Sequence, residues 1–220
     1  KGGVLFVQTS LGVVGAIRST TGSILWLSRY NRNIRVSNFN SQGSVNIRPA
    51  NEPILSQGKV WILPQDANEL LAFDQQSGAP VSLPLAVAKT GIVPWPEIKW
   101  LLGVIDDWMV LGGVSSYVLR LSDFRAHSLA SANTSGCGRG QIVGEDVYLS
   151  IQSGGKGALG LYAGLGSWRK IRTPDWRGDK QRGNLLLAGS TLVVSTDQIY
   201  FYTDATTVRR RFASRIKQSP

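Results

Sequence analysis

The sequence predicts an all-β protein of the β-propeller class, and three observations lead to this fold. Short runs rich in Val, Ile, Leu, Tyr and Trp recur along the 220 residues, bounded by Gly, Asp, Asn and Ser. A unit of apolar strand, two-residue turn and apolar strand returns at intervals of about 40–50 residues, the period of a propeller blade. Helical spacing of apolar residues is hard to find before about residue 205. A β-sandwich, the alternative architecture, has no reason to keep such a period.

The strand-like runs follow one another in a regular order. They are Val4–Val7, Val13–Ile17, Val60–Leu63, Leu70–Phe73, Trp108–Leu111, Tyr117–Leu121, Val147–Ile151, Leu185–Leu187, Leu192–Ser195 and Ile199–Tyr202. The repeated turns centre near Gly58, Asp107, Asp146 and Ser190, and Gly2-Gly3 fits the same turn one unit earlier. Gly, Asp and Asn supply the positive φ of tight hairpins. Residues 1–204 therefore read as about five blades, or partial blades, of a larger propeller.

Composition excludes several other classes of protein. Lys and Arg total 24 against 14 acidic residues, a formal charge of +10, yet only 17% of residues are charged, too few for a coiled coil. A hydrophobic content of 42% with 7 Trp can bury a core, so the chain is not disordered. No apolar run approaches the roughly 20 residues of a membrane helix. A single cysteine (Cys137) and a single histidine (His127) exclude a disulfide framework and argue against a zinc site or histidine-dependent catalysis.

The most specific local pattern is a motif that occurs twice. The first copy contains Ala16, Thr21, Gly22 and Trp26, and the second contains Ala72, Asp74 and Gly78. It resembles the blade repeat Ala-x-Asp-x-x-Thr-Gly-x-x-x-Trp of the pyrroloquinoline-quinone-like propellers. Arg18 stands where the first copy would carry Asp, and in the second copy Ser77 replaces Thr and Ser82 replaces Trp. The resemblance covers about residues 2–204.

Each motif residue has a structural reason. The Ala is small enough to pack beneath a neighbouring blade, and Asp74 can accept hydrogen bonds from backbone N–H groups of the following turn. Gly22 and Gly78 are expected in the left-handed conformation that closes that turn. Trp26 is expected to fill the wedge between adjacent sheets, where a large aromatic buries about 150–250 Å². These residues are therefore predicted to stabilise the fold rather than to bind a cofactor.

The residues needed for quinone chemistry are missing from the sequence. Quinone dehydrogenases that share this repeat carry an adjacent Cys pair, a Trp beneath the quinone, and Ca²⁺ held by Glu, Asn and Asp. Here Cys137 has no neighbouring Cys, and the acidic pairs Asp106-Asp107 and Glu145-Asp146 fall in predicted turns. We therefore expect no catalytic residue, cofactor or metal, and no catalytic role for His127. The Gly-rich stretches at residues 137–140 and 153–157 lack the order of a phosphate loop and are interpreted as loops between strands.

A basic segment between residues 168 and 182 combines cations with aromatic side chains. Its candidate contact residues are Trp168, Arg169, Lys170, Arg172, Trp176, Arg177, Lys180 and Arg182. One interpretation is a solvated long loop that joins two blades. A second is contact with a protein or a polyanionic envelope polymer, since Arg is favoured at interfaces. A third is binding of single-stranded nucleic acid, which uses the same side chains.

The resemblance also implies a function. The family includes outer-membrane assembly scaffold lipoproteins, in which the propeller is a protein-binding platform. It therefore implies a non-enzymatic scaffold in the periplasm or bacterial cell envelope, whose partners are proteins or further segments of the same polypeptide. A quinone-dependent or sugar-processing enzyme of the same fold is the alternative, and a nucleic-acid-binding protein is a third class that rests on charge alone.

The two ends of the chain carry further expectations. Lys1 precedes the turn at Gly2-Gly3 directly, so we expect a piece of a longer polypeptide that does not close a ring by itself. Residues 205–220 are predicted to form a basic helix or tail that leads into a further region. Val208, Phe212 and Ile216 are spaced four apart, which places them on one helical face.

Overall fold

A computed structural model of the chain is all-β, which confirms the predicted fold class. It describes residues 2–32, 49–67, 69–83, 98–129, 134–136, 138–153, 156–165, 167–171, 183–195, 199–203 and 206. Within these ranges the strands form five antiparallel sheets of the propeller-blade type, numbered I to V here in chain order. The helix predicted over residues 205–220 lies outside the described residues, apart from residue 206.

Residues 1–128 form one compact unit that contains sheets I, II and III. Sheet I consists of β1 (Val4–Gln8), β2 (Val13–Arg18) and β3 (Ile24–Arg29). Sheet II consists of β4 (Ile54–Ser56), β5 (Lys59–Ile62), β6 (Leu71–Asp74) and β7 (Pro80–Val81). Sheet III consists of β8 (Ile98–Ile105), β9 (Trp108–Gly113), β10 (Tyr117–Arg120) and β11 (Ala126–Ser128). In each sheet every strand pairs with the next one along the chain.

Residues 129–220 form a second unit that contains sheets IV and V. Sheet IV consists of β12 (Thr134–Gly136), β13 (Gln141–Val143), β14 (Asp146–Ser153), β15 (Lys156–Ala163) and β16 (Ser167–Ile171). Here β12 and β13 both pair with β14. Sheet V consists of β17 (Asn184–Ala188), β18 (Thr191–Ser195) and β19 (Ile199–Thr203).

Apolar cores lie between consecutive sheets within each unit. The core of sheets I and II is formed by Val14, Ala16, Trp26, Val60, Ile62 and Phe73. The core of sheets II and III is formed by Trp61, Leu63, Leu70, Ala72, Ile98, Leu101, Met109, Leu111, Leu119 and Leu121. In the second unit Leu159 of sheet IV packs with Leu185 and Val194 of sheet V. Alternate residues of a middle strand such as β5 thus face opposite neighbours, because side chains of a strand alternate between its two faces.

Several hydrogen bonds between consecutive sheets join residues about one repeat apart. They are Trp26 to Gln75 (49 residues apart), Leu101 to Asn51 (50), Gln57 to Asp107 (50) and Arg139 to Asn184 (45). The separation agrees with the period that the turns predict. The repeat in the sequence therefore corresponds to a repeat of hydrogen bonds between neighbouring sheets.

The structure corrects the loop interpretation of the basic segment in part. Trp168, Arg169 and Lys170 lie in β16, where they pair with Tyr162, Leu161 and Gly160. This part of the segment is a strand at the end of the strand order of sheet IV. Cationic residues are common on such edge strands because charge discourages pairing with another chain. The clustering of cations at residues 169 and 170 is therefore compatible with an edge strand and does not by itself indicate a loop.

The Gly-rich stretch at residues 153–157 also belongs partly to strands. Ser153 ends β14, Lys156 begins β15, and the two residues pair across a hairpin. Within the ranges described above, no helix has the length and apolar character to cross a bilayer.

Candidate functional site

The second motif copy forms a turn around one carboxylate. The Oδ1 atom of Asp74 accepts hydrogen bonds from the backbone N–H of Gln76 (3.1 Å) and of Ser77 (2.8 Å), and from the Ser77 hydroxyl (2.7 Å). These bonds, led by the backbone bond from Ser77, hold the pKa of Asp74 below its ordinary value. Gly78 closes the turn at a φ of 72°. The carboxylate is thus engaged within its own turn.

Acid is expected to weaken this turn. Because the folded-state pKa of Asp74 lies below its unfolded value, its stabilisation is present above the unfolded pKa and is lost as pH falls through the folded pKa. Thermal unfolding of the wild type and of Asp74→Asn, followed from about pH 5 to about pH 2, should show a difference in Tm that shrinks at the acid end. A difference that stays constant over this range would show that ionisation of Asp74 contributes nothing.

The first motif copy closes its turn without a carboxylate. The backbone N–H of Gly22 donates to the Arg18 carbonyl (2.8 Å), and the N–H of Ser23 donates to the Thr21 hydroxyl (3.3 Å). Gly22, like Gly78, has a φ of 72°. Arg18 therefore serves the turn through its backbone carbonyl, which every residue type possesses.

The two motif copies contact each other across the sheet I–sheet II interface. The indole N–H of Trp26 donates to the Gln75 carbonyl at 3.2 Å, and the Ser28 hydroxyl donates to the Gly78 carbonyl. A Cβ atom added to Gly78 would lie only 2.5 Å from the Trp26 ring. Ala16 belongs to the same core as Trp26, whereas Ala72 lies in the core of sheets II and III. The motif therefore builds the interface between sheets.

A second polar cluster joins sheets I and II, and no sequence motif indicates it. Asp66 is only 2% exposed. Its carboxylate accepts hydrogen bonds from the Gly12 N–H (3.1 Å), the Tyr30 hydroxyl (2.7 Å) and Arg32 Nε (3.0 Å). Burial, followed by the bond to Asp66, raises the pKa of the Tyr30 hydroxyl. Arg32 compensates the buried charge of Asp66. Because the partners of Asp66 lie in other loops, the cluster links the loop of Asp66 to those of Gly12 and Arg32.

A cleft of about 330 Å³ lies beside this cluster. Its polar lining includes Arg29, Tyr30 and Glu69, and its apolar lining includes Val81 and Leu83. Such a mixed lining suits a polar side chain of a partner. The described lining contains no Ser, Thr, Cys or His, and Glu69 supplies its carboxylate.

Sheet III carries an aromatic surface next to its first turn. The Arg120 guanidinium lies 4.5 Å from the centre of the Trp108 ring, and the His127 ring lies 5.5 Å from the same residue. Asp123 contacts both Arg120 and Arg125 at 3.3 Å. Here His127 is an exposed aromatic neighbour of Trp108. We name Trp108, Arg120 and His127 together the Trp108 surface.

The acidic pairs fall at hairpin turns. Asp106 and Asp107 connect β8 to β9, and Asp107 accepts hydrogen bonds from Gln57 (2.7 Å) and from Ser122. These bonds, led by the one from the Ser122 side chain, lower the pKa of Asp107. Glu145 lies in the turn before β14, and Asp146 begins that strand. In the described part of the chain, no three His, Cys, Asp or Glu residues come together as a metal site would require.

The role of the basic segment as a contact site stays a prediction. Trp168, Arg169 and Lys170 have described backbones only. Arg172, Trp176, Arg177, Lys180 and Arg182 lie outside the described residues, as does Cys137.

Comparison with known proteins defines the class of fold. No protein-family model and no curated protein sequence matches the chain. Among solved structures, it is similar to BamB from Moraxella catarrhalis, with a TM-score of 0.56 and 16% identity over 91% of this chain and 55% of that one. It is also similar to quinohemoprotein alcohol dehydrogenase from Comamonas testosteroni, with a TM-score of 0.58 and 14% identity over 92% of this chain and 40% of the enzyme.

A third similar structure is the extracellular domain of a hybrid two-component system from B. thetaiotaomicron. Its TM-score is 0.54 at 12% identity, over 93% of this chain and 26% of that one. The chain therefore spans about half, or less, of the length of these neighbours. Such identities show the fold alone, and the fold that they support is a β-propeller.

Proposed function

We propose that this chain is a non-enzymatic, protein-binding scaffold of the bacterial cell envelope. The observation that carries the proposal is that four carboxylates of the described residues are engaged in hydrogen bonds or ion pairs within the fold. Asp66, Asp74, Asp107 and Asp123 each bind a turn, a neighbouring sheet or an arginine. A general acid, a general base or a calcium ligand needs a carboxylate directed towards a substrate or ion. Chemistry at these positions would first have to break bonds that join two sheets, as at Asp66 and Asp107, or that stabilise a turn or an arginine of the same sheet, as at Asp74 and Asp123.

The donor set of a quinone site does not fit the described residues. The amide of Asn51, a buried asparagine, is engaged within the fold, since it accepts from the Leu101 N–H (2.8 Å) and donates to the Lys99 carbonyl (3.0 Å). Cys137 has glycines on both sides, so the sequence offers no adjacent pair of cysteines. Quinone and calcium chemistry are therefore no part of the proposal.

The Trp108 surface is our candidate for partner contact. Trp and Arg are the residue types most enriched among side chains that dominate binding energy at interfaces. Arg120 is held over the ring by Asp123, so its position is set before a partner arrives. The similarity to BamB, and to an extracellular domain, supports a protein partner and an envelope location at the level of the fold.

A quinone-dependent or sugar-processing enzyme is the second candidate, because quinohemoprotein alcohol dehydrogenase is also similar in fold. The two are separated by adding pyrroloquinoline quinone and Ca²⁺ to the purified chain and measuring dye-linked oxidation of alcohols and sugars. We expect no oxidation above that of the cofactors alone. Restored oxidation would overturn the scaffold proposal.

Partner binding is tested by a photo-reactive residue at position 125, which is 76% exposed beside the Trp108 surface. In cells of the source organism we expect discrete cross-links to envelope proteins, which Trp108→Ala abolishes. The control is the same probe at Leu11, an exposed turn residue of another sheet, which should give no such product. Equal labelling at both positions would remove the Trp108 surface from the proposal.

A further inference from the structure

The cleft of about 330 Å³ lies where the strand pairing of sheet II stops short. Strand β7 pairs with β6 at two positions only, and the second of them is Val81 with Ala72. Continued by two residues, the same register would set Leu70 opposite Leu83, but neither residue belongs to a strand. Both residues line the cleft. The cleft is therefore a gap in the ladder between β6 and the chain that follows β7.

The backbone of Leu70 faces this gap. Backbone groups of successive residues in an antiparallel strand point alternately to its two neighbours. The Asp74 N–H donates to the Ala79 carbonyl (2.8 Å), on the side of β7. The Gln75 N–H donates to the Gly58 carbonyl (2.9 Å), on the side of β5. Because Leu70 lies an even number of positions before Asp74, its N–H and carbonyl also point to the side of β7.

These backbone groups of Leu70 are buried and unpaired within the described ranges. Leu70 is 4% exposed, and no hydrogen bond joins its N–H or its carbonyl to another described residue. In folded proteins the great majority of buried backbone groups are paired. The gap therefore offers a donor and an acceptor at the position where one more strand residue would bind.

The side chains around the gap combine an apolar lining with two opposite charges. Val81 and Leu83 supply partly buried apolar surface. Arg29, which ends β3, is exposed, and Glu69 is partly buried. Among the residues that the structure describes, neither of these charges has an ion-pair partner. A ligand that fits this lining is apolar in its middle and carries charges of both signs.

We infer that the cleft binds a short extended segment of a protein partner, which adds to sheet II by pairing with Leu70. In strand addition, main-chain hydrogen bonds give affinity and alternate side chains give specificity. The charges favour a segment with an acidic residue at Arg29, a basic residue at Glu69 and β-branched residues between them. A cleft of this volume is at the small end of ligand sites, so a few residues fill it. This inference rests on the proposed protein-binding function and adds a second contact site to it, away from the Trp108 surface.

The probe is the blocked peptide acetyl-Glu-Val-Val-Val-Lys-amide, added to the 220-residue chain and followed by heteronuclear NMR. We expect saturable binding below about 1 mM, with the Leu70 amide signal shifted and its hydrogen exchange slowed at least about tenfold. The control peptide has the same side chains but a methyl group on each valine backbone nitrogen. Because it cannot donate to a strand edge, it should bind at least about tenfold more weakly.

Reversing one charge of the cleft tests the predicted sequence preference. Arg29→Glu should bind this peptide at least about fivefold more weakly, and should prefer acetyl-Lys-Val-Val-Val-Lys-amide. Arg18→Glu is the matched control, because Arg18 is an exposed arginine of the same sheet that does not line the cleft. It should bind like the wild type. A reversed preference cannot result from misfolding, and circular dichroism checks that both variants are folded.

Three results would overturn the inference. They are no binding of either peptide to the wild type, equal binding of the methylated peptide, and a Leu70 amide that is already protected from exchange without peptide. Cross-linking at the Trp108 surface is measured separately. Cross-links that persist while the peptides fail to bind would overturn the cleft site alone, whereas peptide binding without cross-links would support the cleft and remove the Trp108 surface.

Discussion

Replacing Gly78 by alanine is expected to lower the free energy of unfolding by about 2–5 kcal/mol. About 1–2 kcal/mol arises because φ at this position is 72°, where an L-residue places Cβ too close to the following carbonyl oxygen. About 1–3 kcal/mol more arises because the new Cβ would lie 2.5 Å from the Trp26 ring and would force the two sheets apart. Urea unfolding followed by tryptophan fluorescence measures the loss.

Gly22 provides a matched control for this prediction. It occupies the same place in the first motif copy with the same φ of 72°, but no atom lies within 4 Å of a Cβ added there. Gly22→Ala should therefore cost only the left-handed term, about 1–2 kcal/mol. Equal losses for the two variants would mean that Trp26 gives way freely, and that the close contact with Gly78 does not determine the packing of sheets I and II.

The repetitive part of this fold was predictable because its signals are local. A tight turn is specified by two adjacent residues, and turns such as that of Gly58 mark each repeat. The motif residues Asp74 and Gly78 lie within one turn, so their side-chain and backbone requirements can be read from neighbouring positions.

The contacts between repeats were less predictable because they join distant positions. Trp26 is expected from its size to lie between sheets, but nothing in the sequence near it specifies Gly78, 52 positions later, as the residue beneath its ring. The spacing of one repeat is the available signal, and by itself it predicts a period of strands without specifying which residues contact each other.

The burial of the Asp66 carboxylate could not be predicted from the sequence. Asp66 follows Pro64 and Gln65 in what reads as an ordinary polar link, and its partners Tyr30 and Arg32 lie more than 30 residues earlier. A carboxylate in a link is usually solvated, so only the three-dimensional structure shows that this one is covered. The strand at residues 167–171 was missed for a related reason, since its charged residues resemble those of a loop.

Replacing Trp26 by alanine is expected to cost about 3–5 kcal/mol, as is typical of a buried aromatic residue. The side chain is 9% exposed, contacts Phe6 with ring centres 6.0 Å apart, and donates to the Gln75 carbonyl. Trp26→Phe, which keeps a ring but loses the N–H donor, should cost less. Thermal unfolding, together with a binding assay for any partner, checks whether stability is the property that changes.

The decisive measurement is the double-mutant cycle of Trp26→Ala with Gly78→Ala. If the ring is the main obstacle to a Cβ at position 78, removing the ring should reduce the cost of Gly78→Ala towards that of Gly22→Ala, about 1–2 kcal/mol, with a remainder because the same Cβ lies 2.9 Å from Ser28 Oγ. The two substitutions should then be less damaging together than the sum of their separate effects. Additive losses would place the strain elsewhere in the turn. A Trp26→Ala variant that kept its Tm but lost partner binding would instead make the motif a recognition site, because only a residue that contacts the partner can act without affecting the fold.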